Sequence, residues 1–131
     1  MILIIDTVSD PRFLALFGKD LEKIKTFTSD DTTTELQQKI SLLVNQKIKK
    51  QISHIVVNIG PGGYTQTRCG VSFANALAFS LNIPIIGVKN RNNLLIWVKK
   101  NYLKIIQINR IHFVKPYYAQ KPKITYSKPF L

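Results

Sequence analysis

The chain opens on an uninterrupted apolar run, Met1-Ile-Leu-Ile-Ile5, closed at once by Asp6. A strand that is apolar on both faces needs cover on both faces, so it belongs in the middle of a sheet with helices above and below. Pro84–Val88 (Pro-Ile-Ile-Gly-Val) reads as a second buried strand of the same kind. These two segments exclude a sheet with one wet face and set the architecture before anything else does.

Between them the period of the apolar residues changes. Ser9-Asp10-Pro11 is a turn signal, Phe13–Phe17 a strand, and Gly18-Lys19-Asp20 a hairpin turn into a third strand over Lys23–Thr28. Thr32-x-x-Glu35 has the form of a capping box. Leu36, Ile40, Leu43, Val44 and Ile48 then recur at helical spacing, which predicts one amphipathic helix from about Thr32 to Lys49. Ile52–Ile59 is β-rich, and Gly60-Pro-Gly-Gly-Tyr64 leads into a helix through Leu81, with Thr65 or Thr67 as the expected cap. Leu94–Lys100 predicts a short helix, Tyr102–Ile108 a strand, and Pro116, Pro122 and Pro129 an extended tail. The class is α/β: a mixed sheet with element order βββαβαβα, followed by a short β piece and a Pro/Lys-rich tail. Residues 1–100 read as one lobe and residues 101–131 as a remnant strand and tail.

Charge narrows the partners. The chain of 131 residues carries 19 Lys+Arg against 7 Asp+Glu, a formal net charge of +12. All seven acids lie in the first 35 residues, and residues 36–131 hold fifteen bases and no acid. Such asymmetry points to a polyanion or an acidic protein. The abundance of Ile, Lys and Asn fits a coding bias toward AT and accounts for part of the lysine content, though less well for the missing acids. One cysteine, Cys69, excludes an intrachain disulfide and a cysteine-rich zinc site. No apolar run reaches the length of a membrane span. With no basic n-region or small-residue cleavage site at the N-terminus, the expected compartment is the cytoplasm.

The strand–glycine loop–helix unit is the feature closest to chemistry. Gly60, Gly62 and Gly63 let the backbone turn tightly ahead of a helix N-terminus, where an anion can be held. Asp6 and Thr7 end the first strand and would face the same crevice, as a magnesium-water anchor and a hydroxyl donor. The alternative is a tight structural turn, with Asp6 capping its own backbone. Arg68 suits a phosphate or a carboxylate on another chain. His54 and His112 lack metal-ligand spacing, so no metal is expected. No acid after Glu35 is available as a general base, which argues against a self-sufficient enzyme.

Ile5-Asp-Thr7, Ile59-Gly-Pro-Gly-Gly-Tyr-Thr-Gln-Thr-Arg-Cys-Gly-Val71 and Asn82-Ile-Pro-Ile-Ile-Gly-Val88 together resemble the TsaB (YeaZ) family over about residues 1–100. That resemblance implies an actin/Hsp70-like (ribonuclease H-like) lobe without catalysis of its own and without a cofactor. It implies a heterodimer with the threonylcarbamoyl transferase TsaD, a TsaE-like ATPase as further partner, and N6-threonylcarbamoyladenosine at position 37 of tRNAs reading ANN codons. The family contact is a bundle of the first two helices of each partner. Here that places the interface on Leu36, Ile40, Leu43, Arg68, Val71, Ala74, Leu77 and Ala78, and a vestigial phosphate site on Asp6, Thr7, Gly60, Gly62, Gly63 and Thr65. The motif departs from the family pattern, with Gly63 for Ser, Tyr64 for Phe, Gln66 for Gly and Thr67 for Leu. Most of the family's second domain is expected to be missing, with Val114-Lys-Pro-Tyr-Tyr-Ala resembling a piece near the family C-terminus.

Four readings follow. A scaffold for TsaD has its basic C-terminal part near tRNA; a homodimer forms in isolation if the partner is absent. An independent nucleic-acid module would stack bases on Tyr102, Tyr117, Tyr118 and Tyr126 between lysines. A residual phosphotransferase would use Asp6, Thr7 and the glycine loop. A decaying remnant would fold poorly alone.

Overall fold

A computed structural model of the chain describes residues 1–18, 21–27, 32–89 and 93–117. The elements are β1 (Ile2–Asp6), β2 (Arg12–Gly18), β3 (Leu21–Phe27), α1 (Thr32–Leu43), α2 (Gln46–Lys49), β4 (His54–Asn58), α3 (Tyr64–Leu81), β5 (Ile85–Val88), α4 (Leu94–Lys100) and α5 (Tyr102–Ile106). They build a five-stranded sheet in the order β3-β2-β1-β4-β5. β1 is central, antiparallel to β2 (Ile4 opposite Ala15) and parallel to β4 (Ile4 beside Val56). β3 closes one edge antiparallel to β2, and β5 lies parallel to β4 at the other.

Every residue of β1 and β4 is buried, as two covered faces require. On one face Leu3, Ile5, Leu14, Leu16, Ile55, Val57 and Ile85 pack against Leu36, Ile40 and Leu43 of α1 and Val71, Ala74 and Ala78 of α3. On the other, Ile2, Ile4, Ala15, Val56 and Val88 meet Leu94 and Val98 of α4 and Ile105 of α5. Each fully buried Leu or Ile contributes about 1.5–3 kcal/mol, so these two clusters carry the stability of the α/β/α sandwich.

Three sequence expectations are corrected. The segment expected as a strand at Tyr102–Ile108 is helix over Tyr102–Ile106. Ile105 is drawn into the second core, and the Tyr102 ring meets Phe17 edge-on at 5.4 Å. The single helix expected to Lys49 breaks after Leu43. The Asn45 side chain accepts from the Ile48 amide at 2.8 Å and starts α2 afresh, an asparagine cap overriding the apolar period. Neither Thr65 nor Thr67 caps α3; the cap is Gly63, without a side-chain hydrogen bond. Asn82 ends α3 in the left-handed region at φ 55°, where its amide reaches Ala78 and Phe79 carbonyls. Lys19–Asp20 of the hairpin turn, Thr28 and the side chains of Thr32 and Glu35 lie outside what is described.

Residues 107–117 have no regular secondary structure but are fastened to the β5 side of the lobe. The Asn75 side chain donates to the Val114 carbonyl at 2.8 Å and accepts from its amide at 3.0 Å. The Tyr117 amide donates to the Ile59 carbonyl at 2.7 Å, and His54 Nε2 lies 2.7 Å from the Ile108 carbonyl. We call this segment the strap.

Candidate functional site

The carboxyl ends of β1 and β4 bring Asp6, Thr7 and the Gly60–Gly63 loop together, as the sequence led one to expect. Their bonding gives them a different role. Asp6 is fully buried. Its Oδ1 accepts from the Val8 and Ser9 amides at 2.9 and 2.8 Å, and its Oδ2 from Ser9 Oγ at 2.7 Å and Asn58 Nδ2 at 3.2 Å. The carboxylate ties the turn after β1 to the end of β4, with both oxygens engaged by its own chain. Thr7 Oγ1 donates to the Gln66 carbonyl at 2.7 Å and so clamps β1 to the first turn of α3. A Cβ on Gly70 would overlap the Thr7 side chain, so α3 approaches the strand at a distance only glycine permits.

The loop is shaped in the same way. Gly60 has φ +97°, and a Cβ there would come within 2.6 Å of the Tyr117 carbonyl of the strap. Its amide donates to Asn58 Oδ1 at 3.0 Å. At Gly63 a Cβ would overlap Gln66 Oε1, because the side chain of the third helical residue folds back over the cap. Gly62 packs against Val8, and Thr65 stands exposed on the first turn. The buried Thr67 hydroxyl has no hydrogen-bond partner among the described residues. The Met1 ammonium is held below its ordinary range by partial burial, at the opposite end of the sheet.

The helices α1 and α3 lie side by side, and burial sorts the expected interface residue by residue. Leu36, Ile40, Leu43, Val71, Ala74 and Ala78 are 9% exposed or less and pack on the chain's own sheet, which corrects their assignment to a partner. Leu77 is partly buried against the same core, and Arg68 alone of the eight is exposed. The outward face is instead Gln37, Gln38, Ser41 and Leu42 of α1 with Thr65, Ser72 and Ala76 of α3; Leu42 is 75% exposed. Thr65, Arg68, Cys69, Ser72 and Phe73 line a shallow depression on it. Among the eighteen residues of α3 the one charge is Arg68, in a chain where 20% of residues are charged. Charge is depleted at the cores of protein contacts, and this face shares that composition. Sequence reasoning missed this face because it ranked apolar residues first, and those went inside.

The family profile described as "TsaD: tRNA N6-adenosine threonylcarbamoyltransferase" matches residues 33–102. The chain is 34% identical over 97 residues to the tRNA threonylcarbamoyladenosine biosynthesis protein TsaB of Bacillus subtilis (strain 168), an alignment covering 71% of this chain and 42% of that protein. It belongs to this family, on the TsaB/YeaZ branch. The tRNA N6-adenosine threonylcarbamoyltransferase of Clostridioides difficile (strain 630) is 37% identical over 59 residues, 40% of this chain and 18% of its own length. Among solved structures, YeaZ from Pseudomonas aeruginosa superposes with a TM-score of 0.62 at 21% identity, over 79% of this chain and 50% of that one. The fold is accordingly the actin/Hsp70-like lobe that the resemblance implied. The chain spans less than half the length of the TsaB protein it matches. No described helix is long and apolar enough to cross a membrane.

Among the lysines and tyrosines of the basic C-terminal part, Lys99 is paired with Glu22 at 2.9 Å and Tyr102 is held against Phe17. Tyr118, Lys121, Lys123, Tyr126 and Lys128 lie outside the described residues.

Proposed function

We propose that the chain is a non-catalytic partner subunit of a TsaD-type threonylcarbamoyl transferase in the cytoplasm. In that role it supports N6-threonylcarbamoyladenosine formation on tRNA, with a TsaE-type ATPase as further partner. The observation that supports this reading is the outward face of α3, where Arg68 is the one charge in eighteen residues, on a strongly basic chain. A face of Gln, Ser, Thr, Ala and Leu side chains buries against a second helix pair at low desolvation cost, and small residues permit close approach. When the partner is absent, a second copy of the chain takes the same face.

Catalysis is assigned to the partner because the groups at the glycine loop are engaged structurally. The Asp6 carboxylate holds a turn, Thr7 holds a helix, and the loop carries the Tyr117 and Gln66 oxygens against it. Carbonyl oxygens at those positions disfavour a phosphate, so the loop serves as scaffold. The basic strap side faces tRNA in the assembled complex.

Co-expression with the TsaD-type protein of the same organism, followed by size exclusion, tests the proposal. A 1:1 complex that modifies tRNA, while the chain alone does not, is the expected result. Separate elution of the two proteins under conditions where each is folded overturns it.

A further inference from the structure

Of the seven acids, Asp6, Asp10 and Glu22 have described side chains, and Asp6 is buried with both carboxylate oxygens engaged. Glu22 lies on β3 at one edge, while Val114 of the strap stands beside Gly87 of β5 at the other. Four strand spacings put these edges roughly 19 Å apart. That exceeds the Debye length of about 8 Å at physiological salt, so Glu22 does not neutralise the strap side. From residue 36 onward there is no acid at all.

On that side stand two large apolar rings that the fold leaves wet. Phe79 of α3 is 71% exposed and Phe113 of the strap 67%, yet they lie stacked on each other, centroids 6.2 Å apart and planes 23° from parallel. Tyr117, 41% exposed, carries Lys89 Nζ over its ring at 4.1 Å. Arg110 and Lys115 are exposed to either side of Phe113. A buried core has no use for this pattern, and among the described residues the exposed charges nearest these rings in the chain, Arg110 and Lys115, are cations, which favours a polyanion. We infer that the strap side binds single-stranded nucleic acid, with bases stacking on the Phe79–Phe113 pair and Tyr117 and phosphates meeting Lys89, Arg110 and Lys115. Such a surface tolerates any sequence, because every base has a π face and the cations read only the backbone.

The inference deepens the RNA arm of the proposed function and rests on it only for which RNA is bound. The partner protein is left out of the test, so its failure and the failure of the heterodimer remain distinguishable. The full chain is titrated into a fluorescein-labelled single-stranded RNA of about twelve nucleotides at about 50–300 mM salt, with the matching duplex alongside. Expected is a preference for the single strand and a log–log salt slope near −2, as about three neutralised phosphates give. Replacing both rings (Phe79→Ala with Phe113→Ala) weakens binding about tenfold or more at fixed salt and leaves the slope unchanged. Replacing the cations (Arg110→Gln with Lys115→Gln) flattens the slope by about 1.4. Phe113→Trp keeps the stack and retains binding, which guards against loss through unfolding. Unchanged affinity in the double ring variant, or equal affinity for duplex, overturns the inference and returns the rings to a protein contact or mere packing.

Discussion

Asp6 and Gly70 show how the residue at the centre of a chemically suggestive motif can be structural. Both oxygens of Asp6 are engaged by Val8, Ser9 and Asn58. Removing that carboxylate from a buried site leaves amides unpaired, so Asp6→Ala is expected to lower stability by about 3 kcal/mol in urea unfolding. The wild-type melting temperature should not respond to magnesium. A loss below about 1 kcal/mol, or a magnesium-dependent rise, would restore Asp6 as an ion anchor. At Gly70, alanine would ordinarily favour a helix by about 1 kcal/mol. Here its Cβ would overlap Thr7, so Gly70→Ala should instead destabilise by about 2 kcal/mol, and Thr7→Ala in the same chain should recover part of the loss. A stabilising Gly70→Ala would mean that β1 and α3 are not clamped.

At the scale of elements, the strap is the piece that depends on few contacts. Its fastening includes the two hydrogen bonds between Asn75 and Val114. Asn75→Ala is expected to raise hydrogen exchange at the Val114 and Tyr117 amides by at least about tenfold while the β1 amides exchange as before. Uniform acceleration would mean that the strap is integral to global folding. The contrast with the rest of the fold explains what was legible. Continuous apolar runs and a 3.6-residue period lead directly to β1, β4, β5, α3 and α4, because burial of those side chains dictates the local conformation. Tyr102–Ile106 is short and apolar, and such a run reads as strand or helix until Ile105 finds its pocket. The break at Asn45 was hidden because the apolar period continues through Val44 and Ile48 across a cap that acts locally. The strap has no period of its own. Its position comes from Asn75, an amide amid small and apolar residues of α3, which was the available sequence signal.

Across the whole molecule, the resemblance pointed to α1 and α3, and most of the residues it named on them are buried against the chain's own sheet. Apolar residues at helical spacing served the chain's own sheet, and the outward surface was left mostly to small or polar side chains such as Gln37, Ser41, Ser72 and Ala76, with Leu42 among them. That outward surface is the proposed contact with a TsaD-type partner. On α3, Ala76 is exposed and Ala74, two residues away, is fully buried. The most direct measurement pairs Ala76→Asp with Ala74→Asp and reads both the thermal melt of the chain alone and its co-elution with the partner. Ala76→Asp should melt like the wild type and lose the complex, whereas Ala74→Asp should lose the fold itself through an unpaired buried charge. A well-folded Ala76→Asp chain that still elutes in a full 1:1 complex would contradict the account.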